Sequence, residues 1–209
     1  MKFLKIPTAT ITRLSRYSRA LEELEQQDLK VISSEKLAHY CEVNPAQIRK
    51  DLAYFGEFGV RGVGYVVKEL LFEIKKILGL NKLWHLGIIG MGNLGYALIA
   101  HSNFPRQGYH FVAAFDTDPV KIGRTLPQGF SISPMSDLGK VAVERKIEIA
   151  VIATPASRAQ EVANQIAQTP IRGILNFSPA QLHVPEGIIV HHIDFTVKLD
   201  KLAYRLGTE

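Results

Sequence analysis

A chain of 209 residues with 46% hydrophobic and 22% charged side chains has the composition of a globular protein able to bury one large core or two small ones. No apolar run approaches the roughly 20 residues needed to span a bilayer, Lys5, Thr8, Thr10 and Arg13 interrupt any leader-like core, and a single cysteine, Cys41, excludes an internal disulfide framework, so a cytoplasmic protein is expected. The net charge of +5 is uneven: residues 1–82 hold 14 Lys/Arg against 10 Asp/Glu, a net of +4, and residues 83–209 a net of +1, which suits either a polyanionic partner such as nucleic acid or an ordinary solvated surface.

Up to about residue 80 the periodicity is helical. Ile11, Leu14, Leu21 and Leu24 recur at helix spacing, with Pro7 suited to the first turn. Ser33 or Ser34 caps a short second helix through "EKLAHYCE", and Asn44 with Pro45 opens a third in "NPAQIRKDLAYFG". A short helix, a turn and a second helix have helix-turn-helix form. On the last helix Ile48, Leu52 and Phe55 share an inward face, and Ala46, Gln47, Lys50 and Tyr54 lie opposite with Arg49 on the flank. Recognition helices present their first residues to base edges, so Gln47, Arg49 and Lys50 are the candidate base readers and Tyr54 a phosphate contact. The alternative is a surface helix in a small bundle.

The glycines at 56, 59, 62 and 64 in "FGEFGVRGVGYV" predict a hairpin where a winged helix-turn-helix carries its wing. Arg61 near its tip is either a solvated turn charge or a side chain for a narrow A·T-rich minor groove.

Beyond Trp84 the texture changes. "HLGIIG", "YHFVAAFD", "IEIAVIAT" and "IRGILNFS" are continuous apolar runs suited to strands covered on both faces, and helical segments alternate with them. The pattern predicts βαβ units in a doubly wound α/β domain. Gly90-Met91-Gly92-Asn93-Leu94-Gly95 follows the first strand and opens a helix, the context in which G-x-G-x-x-G signals a dinucleotide. Gly90 permits the tight turn, Gly92 lets backbone approach the pyrophosphate, and Gly95 allows close helix–strand packing.

Asp116 ends the second strand 21 residues after Gly95, near the ~20-residue spacing at which a carboxylate accepts the adenosine ribose hydroxyls. With no arginine directly after the strand, NAD is favoured over NADP. Thr154 and Pro155, in "ATPAS", end a further strand and are candidate cofactor neighbours, although Pro155 could equally start the next helix.

Nothing obvious uses a bound nucleotide. A hydride-transfer enzyme needs a second substrate pocket and an acid–base group, and only about 30 residues follow "NFSPAQ". The seven histidines show no metal-ligand spacing, and no nucleophile elbow, zinc motif or P-loop is present. Neither a catalytic residue nor a metal is expected.

Taken together, "RKDLAYFGEFGVRGVGY", "GMGNLGYAL", "FDTDPVKIG", "GILNFSP" and "VHHIDF" resemble the Rex redox-sensing transcriptional repressors of bacteria, and the likeness runs along essentially the whole chain. The resemblance implies a winged helix-turn-helix domain over residues 1–80, a Rossmann-like NAD(H)-binding domain over 81–193 and a dimerisation helix over 194–209. It further implies a homodimer on an inverted-repeat operator that lets go of the DNA when NADH binds.

Phe195, Leu199, Leu202 and Leu206 fall at i, i+4, i+7 and i+11 of an amphipathic helix. By resemblance that helix is swapped onto the partner subunit, bringing Phe195 to the partner's nicotinamide pocket. Asp194 either caps this helix or, as in the family, pairs with an arginine of the first helix, here Arg19. His101 stands where the family has a tyrosine in that switch.

Three rival readings remain: a dehydrogenase with a basic appendage, a structural oligomer, and a regulator whose α/β domain binds coenzyme A. Asp116 disfavours the last by repelling a 3′-phosphate. Cys41, between Tyr40 and Val43 on an apolar helix, reads as a core residue rather than a thiol sensor.

Overall fold

Leu14, Tyr17, Leu21 and Leu24 make one apolar stripe, and it is their common burial that defines the first helix, α1 (Thr8–Gln26). Ile11, expected on that stripe, is 37% exposed, because it lies about 90° round the helix from the stripe's centre. Thr10 and Tyr17 face inward in its place. The computed structural model describes residues 6–60 and 62–208. Arg61, at the tip of the expected wing, lies outside the described residues.

Ser33 caps α2 (Ser34–Cys41), its hydroxyl accepting from the Lys36 amide, and Glu42 closes the helix in the left-handed region at φ 53°. Asn44 caps α3 (Pro45–Ala53) by accepting from the Ala46 amide, with Pro45 in the first turn. The expected hairpin is shorter than the glycine spacing suggests. Val60 and Gly64 close one antiparallel bridge. The segment that follows, β2 (Tyr65–Val66), pairs with β1 (Val31–Ile32) ahead of α2 rather than with its own hairpin arm. α4 (Val67–Ile77) then packs on α1, where Lys75 and Glu22 pair at 2.7 Å.

Cys41 is 6% exposed in this core, and burial pushes its thiol up to about 11. Iodoacetamide at pH 8 is therefore expected to label the native protein far more slowly than the urea-unfolded chain. Equal rates would restore the thiol-sensor reading.

The chain divides into two compact units between Lys82 and Leu83, two residues beyond the expected boundary. The second unit is a six-stranded parallel sheet in the order β5-β4-β3-β6-β7-β8. The strands are β3 (Trp84–Ile89), β4 (Tyr109–Asp116), β5 (Ile132–Pro134), β6 (Ile149–Ile152), β7 (Gly173–Asn176) and β8 (Ile189–His192). The helices are α5 (Asn93–Ala100), α6 (Asn103–Arg106), α7 (Leu138–Glu144), α8 (Ala156–Ile166) and α9 (Phe195–Leu206).

Apolar clusters cover both faces of the sheet, which explains the unbroken apolar runs of β3 and β6. Strand order reverses between β3 and β6, and the carboxyl ends of those strands therefore flank the crevice where open α/β sheets bind ligands. Among the described residues no helix is long and apolar enough to cross a membrane.

Candidate functional site

The turn after β3 is built by two glycines that no other residue could replace without movement. Gly90 has φ +97°, and a Cβ there would lie 2.7 Å from the Ala153 carbonyl oxygen. Gly95 brings α5 against the turn: its Cβ would lie 2.1 Å from the Gly90 carbonyl oxygen. Gly92, by contrast, has no atom within 4 Å of its Cβ position, so the N-terminus of α5 opens onto free space. Asn93 and Leu94 are exposed there.

Met91 behaves differently from the expectation. Its side chain is wholly buried in the sheet core, and its amide donates to Asp116 Oδ2 at 2.8 Å. It supports the turn rather than facing a ligand.

A cavity of about 340 Å³ lies at the carboxyl ends of β3, β4 and β6, lined by Gly90, Gly92, Asp116, Thr154 and Pro155 together with Lys121 and Arg158. Thr154 Oγ1 is buried without a hydrogen-bond partner, as a group reserved for a ligand would be. Pro155 lines the cavity and also forms the N-cap of α8. Open backbone at a helix N-terminus, an orphaned hydroxyl and a strand-end carboxylate together fit a dinucleotide.

Asp116 is 8% exposed. Burial pushes its carboxyl up, but the amides of Asp118 and Met91 and the Lys121 ammonium outweigh that and hold it below the usual range. No arginine directly follows the strand, as expected, but Lys121 and Arg158 stand in the lining of the same cavity. They lie 5 and 42 positions along the chain, and only the fold brings them to the cavity.

In the first unit the expected outward face of α3 is narrower than the helical wheel predicts. Ala46 and Lys50 are exposed, while Gln47 and Tyr54 are half-buried. Gln47 Nε2 donates to Asp51 Oδ1 at 2.9 Å, so its amide group is directed back toward α1. Arg49 is exposed and donates to Ser34 Oγ at 2.8 Å, with Glu35 at 3.5 Å.

Asp51 itself was not anticipated. Fully buried, it accepts from Arg13 Nε and Nη2 at 2.5 and 2.7 Å, from the Tyr17 hydroxyl at 2.9 Å and from Thr10 Oγ1 at 3.1 Å. One signal was available: Asp51 falls on the same face as Ile48 and Leu52, and a carboxylate on an inward face must be paired. Among the described residues no group of three His, Cys, Asp or Glu side chains is placed to hold a metal ion.

Two family models match these two units. "Putative DNA-binding protein N-terminus" covers residues 5–53, and "CoA binding domain" covers residues 81–180. The redox-sensing transcriptional repressor Rex of Syntrophobacter fumaroxidans is 59% identical over 207 residues, covering 99% of each chain. That of Carboxydothermus hydrogenoformans is 48% identical, again over 99% of each. The chain belongs to the Rex family of redox-sensing transcriptional repressors.

Solved structures agree with the Rex assignment. A crystal structure of RSP, a Rex-family repressor, in complex with β-NAD+ and operator DNA matches with a TM-score of 0.91 at 36% identity, over 97% of this chain and 93% of that one. RSP in complex with β-NADH matches with a TM-score of 0.88 at 34% identity, over 98% and 95%.

Within this Rex-family chain Asp194 caps α9, accepting from the Thr196 amide at 2.8 Å and the Thr196 hydroxyl at 2.6 Å. Arg19 is exposed on α1. His101 ends α5, its Nδ1 accepting from the Asn103 amide at 3.2 Å. The Phe195 ring is 62% exposed, with its centroid 6.3 Å from that of Phe177.

Proposed function

We propose that this chain is a cytoplasmic, homodimeric repressor that binds an inverted-repeat operator and reads NADH against NAD+. The observation that carries the reading is the pairing, in one Rex-family chain, of a helix-turn-helix unit with a switch-point cavity fitted to a dinucleotide. Gly90, Gly92 and Gly95 shape the pyrophosphate turn, Asn93 and Leu94 flank it, Thr154 and Pro155 form the opposite wall, and Asp116 orders the ribose end. The nucleotide is measured and not consumed. Arg49, Lys50 and Arg61 contact the operator, with Tyr54 on the phosphate backbone. Gln47, whose amide is bonded to the buried Asp51, is not assigned a base contact.

α9 supports the dimer. It has no buried residue, and Phe195, Leu199, Leu202 and Leu206 are between 53 and 68% exposed along one stripe. A contiguous apolar stripe of this kind marks an interface, and a second copy of the chain is the occupant. Delivered to the partner's cavity, the apolar ring of Phe195 favours the neutral nicotinamide of NADH over the cationic ring of NAD+. Asp194 exchanges its capping role for a pair with Arg19 in the DNA-bound state.

NADH acts as inducer only if it binds the released state more tightly. Full switching needs about 10⁴-fold preference, or ~5.5 kcal/mol, which the two sites of a dimer share. Fluorescence anisotropy on an A·T-rich inverted repeat, with NADH titrated against excess NAD+, tests the reading. Release of the DNA by NADH alone is expected. Binding indifferent to both nucleotides would turn attention to coenzyme A, the ligand named by the matching domain model.

A further inference from the structure

An acidic side chain stands beside α3, the helix read above as facing the operator. Glu35, in the first turn of α2, lines one cleft with Arg49 of α3 and with Gly59 and Gly62 of the glycine-rich segment. A recognition helix docks in the major groove, so an anion at its side meets the phosphates of a bound duplex. Helix capping does not require this carboxylate, since Ser33 already caps α2 by accepting from the Lys36 amide.

Glu35 is tied to Arg49 through a hydroxyl. Arg49 Nη1 donates to Ser34 Oγ at 2.8 Å, and that hydroxyl donates its own proton to Glu35 Oε1 at 3.2 Å. Arg49 Nη1 and Glu35 Oε1 themselves are 3.5 Å apart, an ion pair bridged by the serine. Bonds from the Glu35 amide and the Ser33 hydroxyl hold the Glu35 carboxyl below the usual range, so it is charged at neutral pH. The two side chains are 56 and 67% exposed, which lets a duplex reach the guanidinium and lets the pair part. Phosphate is the stronger partner, because it can accept from a guanidinium bidentately, whereas this contact uses Nη1 alone.

We propose that Glu35 is a built-in rival of the DNA phosphates for Arg49, and through that exchange sets the operator affinity. In the free protein the Arg49 guanidinium rests on Ser34 and Glu35. On the operator it leaves Glu35 for a phosphate, once at each half-site of the dimer. An exposed ion pair is worth about two- to fivefold in an equilibrium constant, so the two copies together weaken operator binding about tenfold. This inference rests on the reading of α3 as the operator-facing helix.

The test is a double-mutant cycle read by fluorescence anisotropy of the full-length protein on an A·T-rich inverted-repeat duplex with excess NAD+. Glu35→Gln, which keeps the shape and removes the charge, should bind about tenfold more tightly than the wild type. Arg49→Gln should bind more weakly, and adding Glu35→Gln to it should change the affinity little, because the rival has nothing left to hold. A gain of equal size in the Arg49→Gln background would mean plain repulsion between Glu35 and the duplex, and overturns the proposal alone. No gain from Glu35→Gln, or a loss, overturns it as well. Arg49→Gln binding as tightly as the wild type overturns it together with the operator contact of Arg49. A wild-type protein that does not bind the duplex overturns the reading beneath it.

Discussion

Asp51→Ala is expected to lower the stability of the helix-turn-helix unit by about 3 kcal/mol, the lower end of the 3–5 kcal/mol typical for breaking a buried ion pair. The lower end applies because Arg13 keeps 23% of its side chain exposed, whereas the Asp51 side chain has none, so the abandoned guanidinium can reach water. The hydroxyls of Tyr17 and Thr10, both buried, cannot, and each loses its acceptor. A loss of this size is a large share of the 5–15 kcal/mol that holds a typical domain together. Urea unfolding followed by circular dichroism measures it, and a change under about 1 kcal/mol would show that the carboxylate does not hold α3 to α1. Asp51→Asn, which keeps the shape and one acceptor, should fall between the two.

The same carboxylate gives the stability a pH dependence of definite sign. Burial alone would raise the Asp51 pKa, but hydrogen bonds from Arg13, Tyr17 and Gln47 overcome it, so the folded value lies below the ordinary one. A depressed folded pKa means the unfolded chain binds protons first. The stabilisation is complete above the unfolded value near 4 and is lost as pH falls through the folded one. Asp116, lowered in the same direction, adds to this in the second unit. The melting temperature of the wild type should therefore drop below about pH 4 more steeply than that of Asp51→Asn. Parallel curves would remove Asp51 as a cause.

Gly95→Ala is expected to disable the nucleotide site. A Cβ 2.1 Å from the Gly90 carbonyl oxygen meets backbone, and neither atom can swing aside as a side-chain tip would. Either α5 moves off β3 or the turn at Gly90 opens, and both displace the helix N-terminus that faces the anion. Overpacking of this kind costs about 1–3 kcal/mol, and the displaced amides should weaken NADH binding by at least about tenfold. Gly92→Ala is the control, since its Cβ would meet nothing within 4 Å. It should leave stability unchanged while weakening NADH where the pyrophosphate needs bare backbone. Equal NADH affinity in Gly95→Ala and the wild type would mean the turn is not the binding element.

Local chemistry was legible from residues alone wherever it acts over a few positions. Ser33 and Asn44 cap the helices they were expected to cap, because a capping side chain bonds amides two or three residues away. The strand over Tyr109–Asp116 has the expected limits, because its apolar run is long and buried at its carboxyl end. β5 escaped because it is only three residues long at one edge of the sheet, too short to carry a period.

What the sequence by itself determined was the helix-turn-helix, the glycine turn at Gly90–Gly95 and the acid at Asp116, each written in neighbouring residues. Only the tertiary structure decided which polar groups remain free to act. Gln47 is drawn to a buried Asp51 whose other partners lie 34 to 41 positions away, and Asp116 is filled by donors from a separate turn and from Lys121. The reason is physical: a buried charge must find its partners wherever packing places them, and spacing along the chain carries no record of that search.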